Sequence, residues 1–507
     1  MKNWSGNQLE GVEYTVEFFH ELTPGNLRFA LLQHGLAAPQ GQASYLELGS
    51  GHGLTANIIA ALNPALDVVG VEPDPARVRY ARTLAEEADI GNVKFLERNL
   101  EELIADSSLG NFDFIVLHGV YSWVNEAGRG LIRDLIRRNL KPGGVVFVSY
   151  NAYPGWSAGA VLQRVLHDGG VLAGGDAARQ LSQGVWALNR LKELNAAFFG
   201  ANPIAANQLD DLQKRSLSYL AGEYLSDDWG AFFFTDIVKA LGEAKVSYGG
   251  QADLAAHADL INFTPDQRQF LESIPDRNFR ETARDVLLNT SFRRDLYLRG
   301  ATTLPRQAQK DLWNNQRFVL LNDPADVPRK IMARVGEVSL NAEIYDPVLA
   351  ALAHGPQTLA ELLADAGVAK LPWEQVTEAV HLLVLLNIVQ LALPAEGEAE
   401  RTQRARALNT AIVARLRAGD AVPVLASPVT GSGIGLDSLS QSLFAAHTEG
   451  VADKAPYVRQ RLDEKGHNLI KDGQPVTDEA AIAEHLDNAV ASFETITLKI
   501  LKRAGIV

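Results

Sequence analysis

The sequence predicts an α/β fold, and three observations in its first 150 residues predict it: short apolar runs recur as strands, amphipathic stretches separate them, and a glycine-rich turn links the first strand to the next helix. Strands are expected at Ser44–Leu48, Asp67–Val71, Val93–Leu96, Phe112–His118 and Val145–Tyr150. Helices are expected at Thr55–Leu62, Pro75–Ala88 and Gly130–Asn139, the last stopped by Lys141-Pro142-Gly143-Gly144. Upstream, Tyr14–Leu22 and Asn26–His34 read as helices broken at Pro24 and placed to cover the mouth of the site.

From Ser157 to Asp228 the periodicity is almost wholly helical. Phe232–Leu241 and Lys245–Gln251 then read as helix and strand, and Asp276–Asn289 and Phe292–Arg299 repeat that order. The sheet is thus expected to be completed late, after insertions at about 157–228 and 255–290, within a first domain of residues 1–305. Beyond a polar connector, Asp346–Leu393 reads as helix, turn, two helices and a strand, a winged-helix-like unit in a middle domain of residues 306–395. Its third helix, Trp373–Leu386, carries Glu374 and Glu378 and no Lys or Arg, which argues against DNA reading. Ala395–Arg406 reads as a charged linker and Thr430–Gly435 as a loop, the latter inside a mostly helical C-terminal domain of residues 396–507.

Composition narrows the function. A formal charge of −14 gives no net attraction to nucleic acid or anionic lipid. Absence of cysteine excludes disulfides, thiolate zinc sites and Cys nucleophiles, and the histidines lack metal-ligand spacing, so no metal is expected. The polar, acidic first twenty residues and the lack of any long apolar run point to a cytoplasmic protein without a membrane segment.

The turn Glu47-Leu48-Gly49-Ser50-Gly51-His52-Gly53 follows a strand and opens a helix. Glycines there let the chain turn sharply and let a ligand approach the backbone. A dinucleotide fingerprint wants a small residue where Leu54 stands, and Glu47 would repel a pyrophosphate. S-adenosylmethionine has an ammonium and a sulfonium instead, which a carboxylate at Glu47 attracts. Glu72, in Val71-Glu72-Pro73-Asp74, ends the second strand, where a carboxylate accepts both ribose hydroxyls; Asp74 reads as a helix cap. After the third strand Asn99 is a candidate for the adenine edge, with a turn or cap role as the alternative. Gly49, Ser50, Gly51, Gly53, Pro73, His118 and Gly119 complete the expected cofactor site.

The ordered set Glu47–Gly53, Glu72, His118-Gly119-Val120-Tyr121-Ser122-Trp123-Val124 and Ser149-Tyr150-Asn151-Ala152-Tyr153-Pro154-Gly155-Trp156 resembles class I methyltransferases with a methyltransferase regulatory domain, among them the rickettsial protein-lysine methyltransferases. Tyr219–Leu225, Phe232–Asp253 and Asn289–Arg299 resemble the regulatory region, placed at about 219–300. The resemblance implies a Rossmann-like seven-stranded core with helical insertions that support a homodimer, and a lysine amine on a protein as acceptor.

A lysine must arrive without its proton, against a reference pKa near 10.4. Tyr121, Tyr150, Tyr153 and Trp156 are expected at the carboxyl edge of the sheet, their ring faces guiding a cation, with a Tyr hydroxyl or Asn151 orienting the amine. Packing of Tyr150 and Trp156 against the insertion is the alternative for those two. A metabolite or glycan methyltransferase and a catalytically weak scaffold are the competing functions.

Overall fold

The computed structural model describes residues 16–507 apart from 213–214, 216, 421, 465–468, 472–473 and 477. Five parallel strands, β1 (Ala43–Leu48), β2 (Leu66–Glu72), β3 (Val93–Glu97), β4 (Phe112–Leu117) and β5 (Leu140–Ala152), lie in the order β3-β2-β1-β4-β5. The short β6 (Ala231–Phe232) runs parallel to the end of β5. The sheet is completed late, as expected: β8 (Phe292–Leu298) lies antiparallel to β5, and β7 (Ser247–Gln251) lies antiparallel beyond it.

The interior parallel strands β4 and β5 are largely apolar because helices cover both faces, whereas β8 carries Arg293 and Asp295. Helix α1 (Pro24–Gln33) precedes the sheet; α2 (Leu54–Leu62) and α3 (Pro75–Glu87) pack on one face, α4 (Leu100–Ala105) and α5 (Glu126–Asn139) on the other. Tyr45, Phe114, Val116 and Phe147 point to the first face, and Leu46, Ile115, Val146 and Tyr150 to the second, following the period of two along a strand.

Four local expectations are corrected. Pro24 is the first residue of α1 rather than a break, since its fixed φ suits a helix start and its missing N–H has no partner to lose there; Val16–Phe19 is not helical, and Tyr14 lies outside the described residues. Helix α5 does end at Asn139, but Lys141–Gly144 already belongs to β5. The 395–406 stretch is no linker: helix Glu398–Ala418 buries Ala405, Leu408 and Ile412 in the core shared with α2 and α3. Its Arg404 donates to the Ala60 and Ala61 carbonyls and to Asn92 at the foot of α2, which a flexible connector would not do. Ser432–Gly435 is a strand paired with Val424–Ser427, because the intervening turn closes a hairpin that small residues conceal in the sequence.

The polar connector is also structured, with helix Arg306–Asn315, strand Arg317–Leu320 and a hairpin of Lys330–Ala333 with Gly336–Ser339. Arg317–Leu320 lies between Gln357–Thr358 and Val389–Ala392 in a three-stranded antiparallel sheet, packed with helices Ala342–Leu352, Leu359–Ala364 and Trp373–Leu385.

One fully buried cation ties the late strands together. The Arg293 guanidinium bonds Asp285 at 2.7 Å, Asp295 at 3.0 Å and Glu281 at 3.0 Å, and lies over the Phe234 ring. Its Nη2 also donates to the Tyr248 hydroxyl on β7, and Tyr150 on β5 donates to Asp295 at 2.6 Å. Removing the cation leaves carboxylates buried without a counter-charge, so Arg293→Leu is expected to cost about 3–5 kcal/mol in denaturant unfolding. A loss below 1 kcal/mol, on the order of a surface ion pair, would show the network to be dispensable.

Candidate active site

Period-two geometry gathers the site. Glu47, Glu72, His118 and Asn151 stand at the carboxyl ends of β1, β2, β4 and β5, on the strand face shared with Tyr45 and Phe147. Between the first two acids, the glycine turn hangs on β2: Gly49 N–H and Ser50 N–H both donate to the Val71 carbonyl. Gly51 N–H donates to Glu72 Oε2 at 3.1 Å, and Asp74 N–H to Glu72 Oε1 at 3.2 Å. Gly51 (φ +54°) would aim a Cβ into open space, whereas at Gly53 (φ +69°) a Cβ would strike Ala81 and Phe95 at 2.5 and 2.7 Å. The first glycine keeps the cleft open and the second lets α2 close on α3. Gly70 serves the same packing on β2.

The electrostatics mark a place for a cation. Glu47 is 3% exposed, its Oε2 meets no hydrogen-bond donor, and burial pushes its pKa up to about 8. Burial also raises the Glu72 carboxyl, opposed by Arg77 and by the N–H groups of Asp74 and Gly51. Ser50 Oγ and His118 Nδ1 are likewise buried without partners. Burial, with the Arg294 charge, holds His118 at about 3, so its imidazole is neutral. Gly119 N–H donates to Ser149 Oγ at 2.9 Å, fixing the loop after β4.

The N-terminal segment crosses this cleft, extended over Val16–Phe19 and closing in a single 3-10 turn at His20–Leu22. The Phe19 ring lies 3.9 Å from that of His118, Phe19 N–H reaches Thr55 Oγ1, and Glu21 pairs with Arg294 at 3.0 Å. Its other side touches the C-terminal hairpin, where Phe18 meets Gly433 and His20 Nδ1 is 2.9 Å from Ser432 Oγ.

Not every expected residue reaches the cleft. Tyr150 points to the opposite face, fully buried, with its hydroxyl given to Asp295, so it packs the sheet and does not belong on the catalytic rim. Tyr121 is also turned into the second core: it is 1% exposed, packs on Phe232, and shares a hydrogen bond with Arg133 of α5. Asn99 caps α4, its side chain accepting from Glu102 N–H while the Glu102 carboxylate accepts from Asn99 N–H; the cap alternative is the one the geometry uses. Pro73 follows Glu72 at the turn before α3, which Asp74 caps as expected.

Asn151, Tyr153 and Trp156 do reach the carboxyl edge, and a segment from the insertion meets them. Asn151 N–H donates to Ser122 Oγ, Tyr153 N–H to the Phe232 carbonyl, and Gly230 N–H to the Ser122 carbonyl. Trp123 Nε1 donates to the Gly222 carbonyl at 3.1 Å, seating helix Leu217–Tyr224 over the end of β5. Trp156 packs against Tyr224 and Trp229, with ring centroids 6.1 and 4.8 Å away, and Tyr153 against Phe233 at 5.2 Å. The aromatics from the insertion and Glu223 escaped sequence reasoning; only the density of Trp, Tyr and Phe between Tyr219 and Phe234 signalled them.

Known proteins agree with this geometry. Residues 40–192 match a family described as a methyltransferase domain, and residues 216–299 one described as a predicted methyltransferase regulatory domain. An uncharacterized protein of Synechocystis sp. is 34% identical over 508 residues, covering 99% of both chains. The chain belongs to the class I S-adenosylmethionine-dependent methyltransferases that carry this regulatory domain. An uncharacterized protein of Rickettsia prowazekii is 29% identical over 45% of this methyltransferase and 92% of its own length. The structure of PKMT2 from Rickettsia typhi in complex with AdoHcy superposes with a TM-score of 0.67 at 20% identity, covering 97% of this chain and 99% of that one, so the likeness extends across the whole fold. The segment meeting Asn151 and Trp156 therefore lies inside the regulatory match.

Glu47 sets a pH signature. Its folded pKa lies above the unfolded value of 4.5, so the folded state binds the extra proton and stability falls as pH rises between about 4.5 and about 8. In the cofactor-free protein, Glu47→Gln is expected to raise the melting temperature by an amount that grows across that window and is constant above it. A gain equal at pH 5 and pH 8 would mean that the carboxyl is solvated.

Proposed function

We propose that this methyltransferase modifies lysine amines of a protein, with Glu47, the Gly49–Gly53 turn and Glu72 holding the cofactor. Supporting this, Oε2 of the buried Glu47 carboxyl meets no donor, which suits the ammonium of an amino-acid moiety. Glu72 presents its carboxylate beside Gly51, on the strand end suited to a ribose diol, and Gly51 and Gly119 face open space. Bound there, S-adenosylmethionine supplies a methyl group already electrophilic through its sulfonium. The protein's own task is then placement and dryness: Phe19 shields the cleft above neutral His118, and Ser149 pins the Gly119 loop.

The observation that carries the acceptor is the aromatic wall of Tyr153, Trp156, Tyr224, Trp229 and Phe233 beside Asn151. Ring faces attract ammonium groups and give hydroxyl acceptors no comparable advantage. The same reading divides the chain into a catalytic domain to about residue 305, a winged-helix-like middle domain and a C-terminal domain. It also makes the protein a cytoplasmic homodimer. Exposed Leu172, Trp186 and Leu194 on the helical insertion support dimerisation. Among the described residues no helix is long and apolar enough to cross a membrane.

Two measurements test this. Glu72→Ala and Gly51→Val are each expected to weaken S-adenosylmethionine binding about tenfold to a hundredfold by calorimetry, Glu72→Ala through lost charge-assisted hydrogen bonds and Gly51→Val through backbone strain. Incubation with methyl-labelled cofactor and cell proteins, followed by mass spectrometry, is expected to place label on lysines. Label confined to small molecules or hydroxyls would contradict the acceptor assignment.

A further inference from the structure

Helix Leu217–Tyr224 carries one acidic side chain, Glu223, over the end of β5. The Glu223 carboxyl lies near enough to the Asn151 side chain to be influenced by it, Asn151 Nδ2 is buried without a closed hydrogen bond, and the helix neighbour Tyr224 joins Trp156 and Trp229 in the aromatic wall. Trp229 Nε1 is buried in that wall with no acceptor. The helix is held by two bonds to its backbone, from Trp123 to the Gly222 carbonyl and from Gln163 to the Tyr224 carbonyl. The nearby charges His167, Asp168 and Asp227 engage one another, with His167 3.1 Å from Asp168 and 3.0 Å from Asp227. Asn151 is the side chain that tempers the Glu223 carboxyl, and an amide neither neutralises a carboxylate nor protonates it.

We propose that Glu223 and the Trp156–Tyr224–Trp229 wall form the binding site for an aliphatic ammonium, and that the Glu223 carboxylate takes one proton from it. This rests on the amine-acceptor reading above. The step balances within the site: an N–H bond of the ammonium breaks, its electron pair stays on nitrogen as the lone pair, and the proton forms an O–H bond on Glu223. Burial suits the carboxyl to this exchange by pushing its pKa up to about 7, while Asn151 tempers the shift. The half-buried aromatic surroundings lower the ammonium's hold on its proton in the same direction. The regulatory region thereby supplies a working part of the acceptor site.

The test uses the full-length protein and Nα-acetyl-lysine methylamide as probe, with Nα-acetyl-norleucine methylamide as its uncharged counterpart. Quenching of tryptophan fluorescence by the lysine probe is expected in the wild type, at least about thirtyfold weaker in Glu223→Gln, partly restored in Glu223→Asp, and absent with the norleucine probe. S-adenosylmethionine affinity is expected to stay unchanged in both variants, which checks that they fold. With poly-L-lysine as acceptor, the rate of label transfer in the wild type is expected to fall below about pH 7, and Glu223→Gln is expected to lose most of the rate. Equal binding of the two probes, or wild-type binding and turnover in Glu223→Gln, would overturn the assignment of Glu223 even where lysines are labelled. Label found only on hydroxyls would overturn the acceptor reading itself.

Discussion

The strand order decides where anything can bind. Because β1 lies between β2 and β4, the chain leaves β1 toward one face of the sheet and β4 toward the other, and a crevice opens at their carboxyl ends. A helix or loop cannot fill that crevice from both sides. Strand periodicity then delivers Glu47, Glu72, His118 and Asn151 into it from one face, and the glycine turn, tied by its N–H groups to Val71 and Glu72, leaves Gly51 facing open space. Glu47 is left buried without a donor, a costly arrangement that a bound cation relieves.

The other half of the site depends on the late strands. β5 carries Asn151 to the cleft paired with β6 and β8, and the Arg293 cluster joins β5, β7, β8 and helix Arg277–Leu288. The regulatory region is thus a structural part of the catalytic sheet. The C-terminal part of the chain is coupled as well: Glu398–Ala418 packs on α2 and α3, and the hairpin of Val424–Ser427 and Ser432–Gly435 holds the N-terminal segment that carries Phe19 onto His118.

Local chemistry made the cofactor side legible in the sequence. Glycine spacing, Leu54 in place of a small residue, and acids at two strand ends are short-range signals, and β4 and β5 each carry a clear apolar run. Tyr150 was misplaced although alternation separates it from Asn151: one residue along a strand turns a side chain to the other face. Tyr121 lies past the strand, where no period applies and Arg133 decides its direction. Asn99 was ambiguous because a cap and a ligand contact ask for the same residue type. Glu223 was invisible for another reason, since tertiary contacts, the bond from Trp123 to the Gly222 carbonyl among them, bring its helix to β5. Helix Glu398–Ala418 looked like a linker because charges interrupt its apolar face, two of them, Arg401 and Arg404, being spent on backbone carbonyls.

The central claim is that the unpaired groups at this edge form the cofactor site. A crystal structure of the protein with S-adenosylhomocysteine tests it most directly. The account predicts the α-ammonium within hydrogen-bond distance of Glu47 and the ribose hydroxyls on Glu72, beneath Phe19. A ligand seated away from both carboxylates, with Glu47 still unpaired, would contradict it.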